Sequence, residues 1–373
     1  MPVGGAEFQG LNSEAFVIQF RIVIDSDGRL TEFLPALRAA DWLAVDTEAD
    51  SLHAYPEKLC LVQLSTAQGD RLIDPLAGLD LKPLWAELKK HQLILHGADY
   101  DLRLLRKNHG FVPNRIFDTM LAGRLLGERQ FGLGDLVKKH LGVALEKGSQ
   151  KADWSRRPLT PRMESYARAD TRHLKKLSDI LGAQLRQKQR LPWLEQCCDR
   201  LIAECAMPAA LEPDLVWRIK GCHKLARASL AVLREIWHWR EKEALSANRP
   251  PYFVLSHEAL VDISAAVVDH HPIDGLLPRH FSPRRQDGLN EAILKGLALS
   301  PNEHPQVLRF PSRRHTEAQR QRFAQLEQKR NSRATALDID PTLIDSRATL
   351  LALADDWDRH QGDLMSWQRE LLS

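Results

Sequence analysis

Along the first 110 residues, short β-branched or leucine-rich runs alternate with segments whose apolar residues recur at helical spacing. The runs Val23 to Asp25, Leu43 to Thr47, Leu59 to Leu64, Arg71 to Asp74 and Leu93 to His96 predict strands. Between them, Thr31 to Ala39 and Leu81 to Lys90 predict helices, and Asp99 to Lys107 predicts a third that Gly110 stops. The runs between Leu43 and Asp74 follow one another without a helix, so a mixed sheet is expected rather than an all-parallel one. No GxGxxG or GxxxxGK[ST] loop accompanies them, which argues against the doubly wound nucleotide-binding folds and predicts no nucleotide cofactor.

After Phe117 strand signals nearly vanish. Helical spacing runs from Leu121 to the end, broken by Pro158, Pro192, Pro208, Pro213, Pro250 and Pro251, so the second half is expected to be all-α. A change of character at Ala209 to Pro213 predicts one boundary, and the polar stretch Pro301 to Arg314 predicts a linker. The chain is thereby divided into residues 1–210, 211–300 and 301–373.

Composition alters this picture little. Charged residues are 27% and hydrophobic residues 43%, values of a folded, water-soluble chain, and 52 Lys and Arg against 49 Asp and Glu leave a net charge of +3 that does not by itself point to nucleic acid. The basic side chains Arg309, Arg313, Arg314, Arg320, Arg322, Lys329, Arg330 and Arg333 crowd one late stretch, which suits either phosphate contact or a solvated helix face. Five cysteines, an odd number with Cys197 and Cys198 adjacent, fit a reduced, cytoplasmic protein. Cys197, Cys198 and Cys205 lack the spacing of a zinc site and read as small core residues. Met1 to Gly10 carries no basic start followed by an apolar run, and no later segment is long and apolar enough to span a bilayer, so neither secretion nor membrane insertion is expected.

Three groups of residues carry chemistry. In Ala44-Val45-Asp46-Thr47-Glu48 an apolar strand ends in two carboxylates two positions apart, which places both on one face. Like charges so placed are most readily reconciled by a shared hard cation, although acidic strand ends are also common in turns. In His96-Gly97-Ala98-Asp99-Tyr100-Asp101 a strand gives way to a helix: Asp99 stands where an N-cap is expected, and Asp101 lies in the first turn. His96 there suits a ligand, a substrate contact or a hydrogen-bonded structural role. In Tyr166-Ala167-Arg168-Ala169-Asp170 a spacing of four puts the phenol and the carboxylate on one helix face, as an ordinary amphipathic pair would also be.

Taken in order, these groups resemble the DEDD exonuclease superfamily in its tyrosine subclass and, within it, the ribonuclease D family. Leu61-Val62-Gln63-Leu64, Phe117-Asp118-Thr119-Met120 and Lys151 to Leu159, which reads KADWSRRPL, extend the resemblance over the first half of the chain. It implies a ribonuclease H-like exonuclease domain. Asp46, Glu48, Asp101 and Asp170 would hold two divalent cations, Mg²⁺ or Mn²⁺, at the terminal phosphodiester, and Tyr166 would align the attacking water. Thr47, Gln63 and His96 are candidates for substrate contact, Asp118 for a supporting role and Trp154 for packing. The reaction implied is metal-dependent 3′-to-5′ removal of nucleoside 5′-monophosphates from RNA with a free 3′ end, tRNA precursors among them, by a monomer. Leu233 through Leu260 resembles the helicase-and-ribonuclease-D C-terminal (HRDC) domain, an all-α nucleic-acid-binding module, and Asn331 through Leu350 suggests a second copy. A DNA exonuclease and a catalytically silent RNA-binding protein are the competing readings.

Overall fold

A computed structural model describes residues 22–146, 148–208, 212–279, 281–308 and 315–373. The start of the boundary expected at Ala209, the basic residues Arg309, Arg313 and Arg314, and Met1 to Gly10 lie outside the described residues. The chain forms two compact units, Met1–Ala49 with Leu59–Met207 and His315–Ser373, and Asp50–Lys58 with Pro208–Arg314, as far as they are described.

The first unit holds a six-stranded sheet of order β1-β4-β3-β2-β5-β6. Its strands are β1 Val23–Ile24, β2 Leu43–Ala49, β3 Leu59–Thr66, β4 Gly69–Ile73, β5 Gln92–Leu95 and β6 Arg115–Asp118. β2, β3 and β4 form an antiparallel meander, while β5 runs parallel to β2, β6 to β5 and β1 to β4, so the sheet is mixed. β3 is buried over all eight residues, which is why it reads as a nearly unbroken apolar run. β6 was not among the expected strands. Only Ile116 and Asp118 of its four residues are fully buried, too short an alternation to stand out.

Helix Asp27–Arg38 begins four residues before the expected start, with Ser26 at its N-cap position. Helix Asp99–His109 ends at Gly110, whose φ of 63° is the left-handed conformation in which glycine carries no steric penalty. Asp99 does not cap this helix. It is exposed and paired with Arg103 at 2.9 Å, and the N–H groups of Gly97 and Ala98 donate instead to the buried carboxylate of Asp118, at 3.1 and 2.8 Å.

The division at residue 301 is not how the end of the chain packs. Helices Glu317–Leu337, Pro341–Ile344, Arg347–Asp355 and Ser366–Leu372 place Ile339, Ile344, Leu350 and Trp367 in the same apolar core as Leu125, Leu136, Leu194 and Cys198 of the exonuclease region. Burying that surface in a shared core is more favourable than leaving so small a helical segment to stand alone.

The second unit packs helices Arg227–Ser246, His257–Val268 and Pro283–Leu297 around Leu233, Ile236, Leu260, Leu289 and Trp217. The excursion between β2 and β3 belongs to it: the Tyr55 hydroxyl donates to Glu241 at 2.5 Å and that of Tyr252 to the Leu52 carbonyl at 3.3 Å.

One local arrangement occurs twice, 90 residues apart. Arg240 is buried and donates to the Leu255 carbonyl, while Arg330 donates to that of Asp345. Asn248 and Asp338 both adopt left-handed φ, 46° and 51°. Ser256 and Ser346 both cap the next helix, and Leu260 and Leu350 are both fully buried. These are single residues in separate places rather than a repeated run, and all but Arg330 fall within the two stretches that suggested copies of one module.

Candidate active site

Alternation along β2 sends Asp46 and Glu48 to one face of the sheet and Val45 and Thr47 to the other. Helix Pro161–Arg172 lies across the first face. Its Met163 and Ala167 pack on Leu61, and its Thr171 hydroxyl lies 2.7 Å from that of Ser65. Pro161 at the first turn and Thr160, which accepts the Met163 N–H, start this helix where it must start to aim Tyr166 and Asp170 at β2. Oxygen atoms of Asp46, Glu48 and Asp170 thus come within 4.8 Å of one another, and all three side chains remain partly exposed.

Asp101 lies outside this trio. Its buried carboxylate accepts the Thr47 hydroxyl at 2.5 Å, yet it is near enough for its charge to act on Asp46 and Glu48. Burial, with the neighbouring charges of Asp101, Asp170 and Glu48 behind it, holds the Asp46 carboxyl well above the usual range. Burial and then Asp170 and Asp101 push Glu48 up to about 9. Burial also lifts Asp101 and Asp170 to about 7, against hydrogen bonds from Thr47 and Tyr166 that oppose the rise. The Tyr166 phenol is driven upward by burial and then by Asp170, Glu48 and Asp46, so at neutral pH it keeps its proton and donates to Asp170. Four carboxylates that cannot ionise together unaided, all offering oxygen, fit a hard divalent cation.

The remaining expected residues are placed as follows. Thr47 is buried with its hydroxyl committed to Asp101, and Gln63 is fully buried opposite Asp46 on β3, so neither has a surface on which to meet substrate. Both amide atoms of Gln63 lack a partner among the described residues. The Thr119 hydroxyl donates to the Leu95 carbonyl, so His96 must donate to it from Nδ1 (2.9 Å). This leaves His96 Nε2 as a buried acceptor without a partner among the described residues, in a ring that burial biases toward the neutral form. Trp154 is buried beside Tyr166, ring centroids 6.1 Å apart, as packing requires. Sequence reasoning missed Thr47 as the partner of Asp101. Alternation along β2 held the clue, since it turns Thr47 away from Asp46 and Glu48.

A 3′-5′ exonuclease family is matched by residues 21–186, a stretch that contains all six strands and all of these carboxylates, and the HRDC domain is matched by residues 229–267. The first unit is therefore built around a 3′-to-5′ exonuclease domain. Among curated relatives, Ribonuclease D of Zymomonas mobilis subsp. mobilis is 34% identical over 305 residues, 78% of this chain and 76% of that protein. Ribonuclease D of Pseudomonas paraeruginosa is 32% identical over 298 residues, covering 77% and 78%. The chain belongs to the ribonuclease D family. Among solved structures, Escherichia coli RNase D, described as an exoribonuclease involved in structured RNA processing, superimposes with a TM-score of 0.72 at 25% identity, over 94% of this chain and 97% of that one. A Bifidobacterium adolescentis protein of 24% identity shares the fold, with a TM-score of 0.79 over 94% of each chain.

Proposed function

We propose that Asp46, Glu48, Asp101 and Asp170 hold the two divalent cations, Mg²⁺ or Mn²⁺, with which this 3′-to-5′ exoribonuclease releases nucleoside 5′-monophosphates from RNA. The observation that carries this reading is the convergence of Asp46, Glu48 and Asp170 within 4.8 Å, with each carboxyl pushed upward and the protonated Tyr166 hydrogen-bonded at its edge. When bound, such cations polarise the phosphodiester, lower the pKa of water and stabilise the leaving oxygen. The chain's own residues orient the parts. Thr47 fixes one carboxylate oxygen of Asp101 and so holds that side chain beside the trio. Tyr166 keeps its proton, donated to Asp170, and its phenol oxygen is an acceptor that orients the attacking water rather than deprotonating it. The water oxygen joins phosphorus, the bond to the 3′ oxygen breaks, and that oxygen takes up the proton. His96, partly exposed just after β5, is the remaining candidate for substrate contact.

The substrate class is RNA with a free 3′ end, tRNA precursors included, a reading supported by the family and by the HRDC domain in the second unit. The helices after Glu317 act as a second HRDC-like module, supported by the repeated Arg, left-handed and Ser-cap positions. Five free cysteines suit the cytoplasm, where we place it as a monomer. The test is a time course on matched 5′-labelled RNA and DNA oligonucleotides with Mg²⁺, Mn²⁺ or chelator. A ladder shortening from the RNA 3′ end, abolished by chelator, is expected. Preference for DNA, or cleavage in chelator, overturns the reading.

A further inference from the structure

A separate cavity of about 170 Å³ opens beside Tyr166, between helix Pro161–Arg172 and the segment before it, and is lined by Glu146, Gly148, Arg162, Ser165, Tyr166 and His173. Arg162, Ser165 and Tyr166 share the helix face that looks into it, with Arg162 one turn, about 5.4 Å, closer to the helix start than Tyr166.

The arginines of this helix differ in how they are used. Arg168 and Arg172 are both tied to Asp70, at 3.4 and 2.6 Å. Arg162 is exposed, and among the described residues it forms no ion pair, although Glu146 lines the same cavity. Its guanidinium is nevertheless seated. It packs directly on Gly148, where a Cβ would fall 2.6 Å from its Nη2, so a larger residue there would make the flexible guanidinium shift. The positive end of a 12-residue helix lies at the same place. Glu48, Asp46 and Asp170 are near enough for their charges to act on Tyr166, so this one side chain adjoins both the negative cluster and the cavity that holds Arg162.

Such a site takes a phosphodiester. We infer that Arg162 binds the phosphate one nucleotide upstream of the scissile one, with Ser165 and the His173 ring against its ribose, and so fixes the register of the 3′ end at the carboxylates. The inference rests on the exonuclease reading, because it assumes that the scissile phosphate lies at the carboxylates. The planar fork of arginine suits a phosphate that must be held in one orientation.

The experiment measures binding, by anisotropy, of a 5′-labelled RNA pentamer with either all phosphodiesters or a neutral methylphosphonate at the linkage next to the terminal one. The full-length protein should bind the all-phosphodiester RNA roughly tenfold more tightly, and Arg162→Gln should bind the two alike. In that variant the dependence of log Kd on log salt should also flatten by about 0.7, and Arg162→Lys should restore part of the preference. If Arg162→Gln keeps the preference for the charged linkage, or loses affinity equally for both RNAs, the assignment is overturned. Failure of the unaltered protein to cleave the same RNA with Mg²⁺ would overturn the exonuclease reading instead, while the binding comparison would still decide on Arg162.

Discussion

The hydroxyl of Thr47 donates to the carboxylate of Asp101 at 2.5 Å, joining β2 to the helix that follows β5. The bond counters the burial that lifts Asp101 to about 7, so it keeps that carboxylate ionised further into the acid range than burial alone would permit. Thr47→Val keeps the shape and removes the donor. The acidic limb of kcat/KM should then move to higher pH, with activity roughly tenfold lower near pH 6 and recovering near pH 9. Profiles at saturating Mg²⁺ check this, and a uniform loss at all pH would mean that Thr47 only supports the fold.

Asp46→Asn and Asp170→Asn retain size and remove the charge from the trio. Cleavage should fall by at least roughly 10²-fold, while RNA affinity changes little, because removing a carboxylate takes away no positive charge that phosphates could meet. Labelled-RNA cleavage and binding assays on the same samples test both halves. Full activity in both variants would sink the site.

The same carboxylates make stability depend on pH and metal. Their folded pKa values lie above the unfolded ones, at about 7 for Asp101 and Asp170 and about 9 for Glu48. Between the ordinary carboxylate range and those values the folded state binds more protons than the unfolded chain, so stability in chelator falls as pH rises from about 4 toward 9. A bound cation favours the ionised set, hence Mg²⁺ or Mn²⁺ should raise Tm more at pH 8 than at pH 5. Differential scanning fluorimetry reads this directly, and an equal rise at both pH values would contradict it.

How much of this was legible differs from residue to residue. Asp46 and Glu48 show themselves through the period of two, and Tyr166 and Asp170 through the spacing of four, because each pair is local in sequence. Asp101 could be chosen over Asp99 only through the family resemblance, since both suit a helix start; the structure separates them by burial and by the bonds that Asp118 supplies to Gly97 and Ala98 from 21 and 20 residues away. Gln63 illustrates the limit. Its place opposite Asp46 depends on strand register, and register across a turn is a tertiary property. The packing of the last helices was hidden for the same reason: Leu350 and Trp367 look equally apolar whichever core receives them.

Arg157 ties the segment before the Tyr166 helix to the sheet. It grips Asp74 through Nε and Nη2, at 2.5 and 2.6 Å, and donates to the Cys60 carbonyl at 2.7 Å. Arg157→Met leaves Asp74 buried without its counter-charge, which should cost about 3–5 kcal/mol. Urea unfolding measures it; a loss below about 1 kcal/mol would class the pair with ordinary surface bridges.

Two contacts fasten the last helices to the exonuclease region, and they predict what loosening that seam does. Gly127 sits at φ 92° with the backbone of Asp338 against it, where a Cβ would fall 2.1 Å from the Asp338 carbonyl oxygen. Arg190, buried, donates to the carbonyls of Leu125 and Leu337, both at 2.7 Å. Gly127→Ala meets strain in its own backbone, about 1–2 kcal/mol, and a clash that no side-chain rotation relieves. Arg190→Ala leaves two carbonyls without their donor, at about 1–3 kcal/mol. In either variant, hydrogen exchange should quicken first in Glu317–Leu337 and Arg347–Asp355, ahead of β2 and β3, because the sheet keeps its own core. If the strands lose protection together with those helices, the region unfolds as one cooperative body and the seam is not a line of separation.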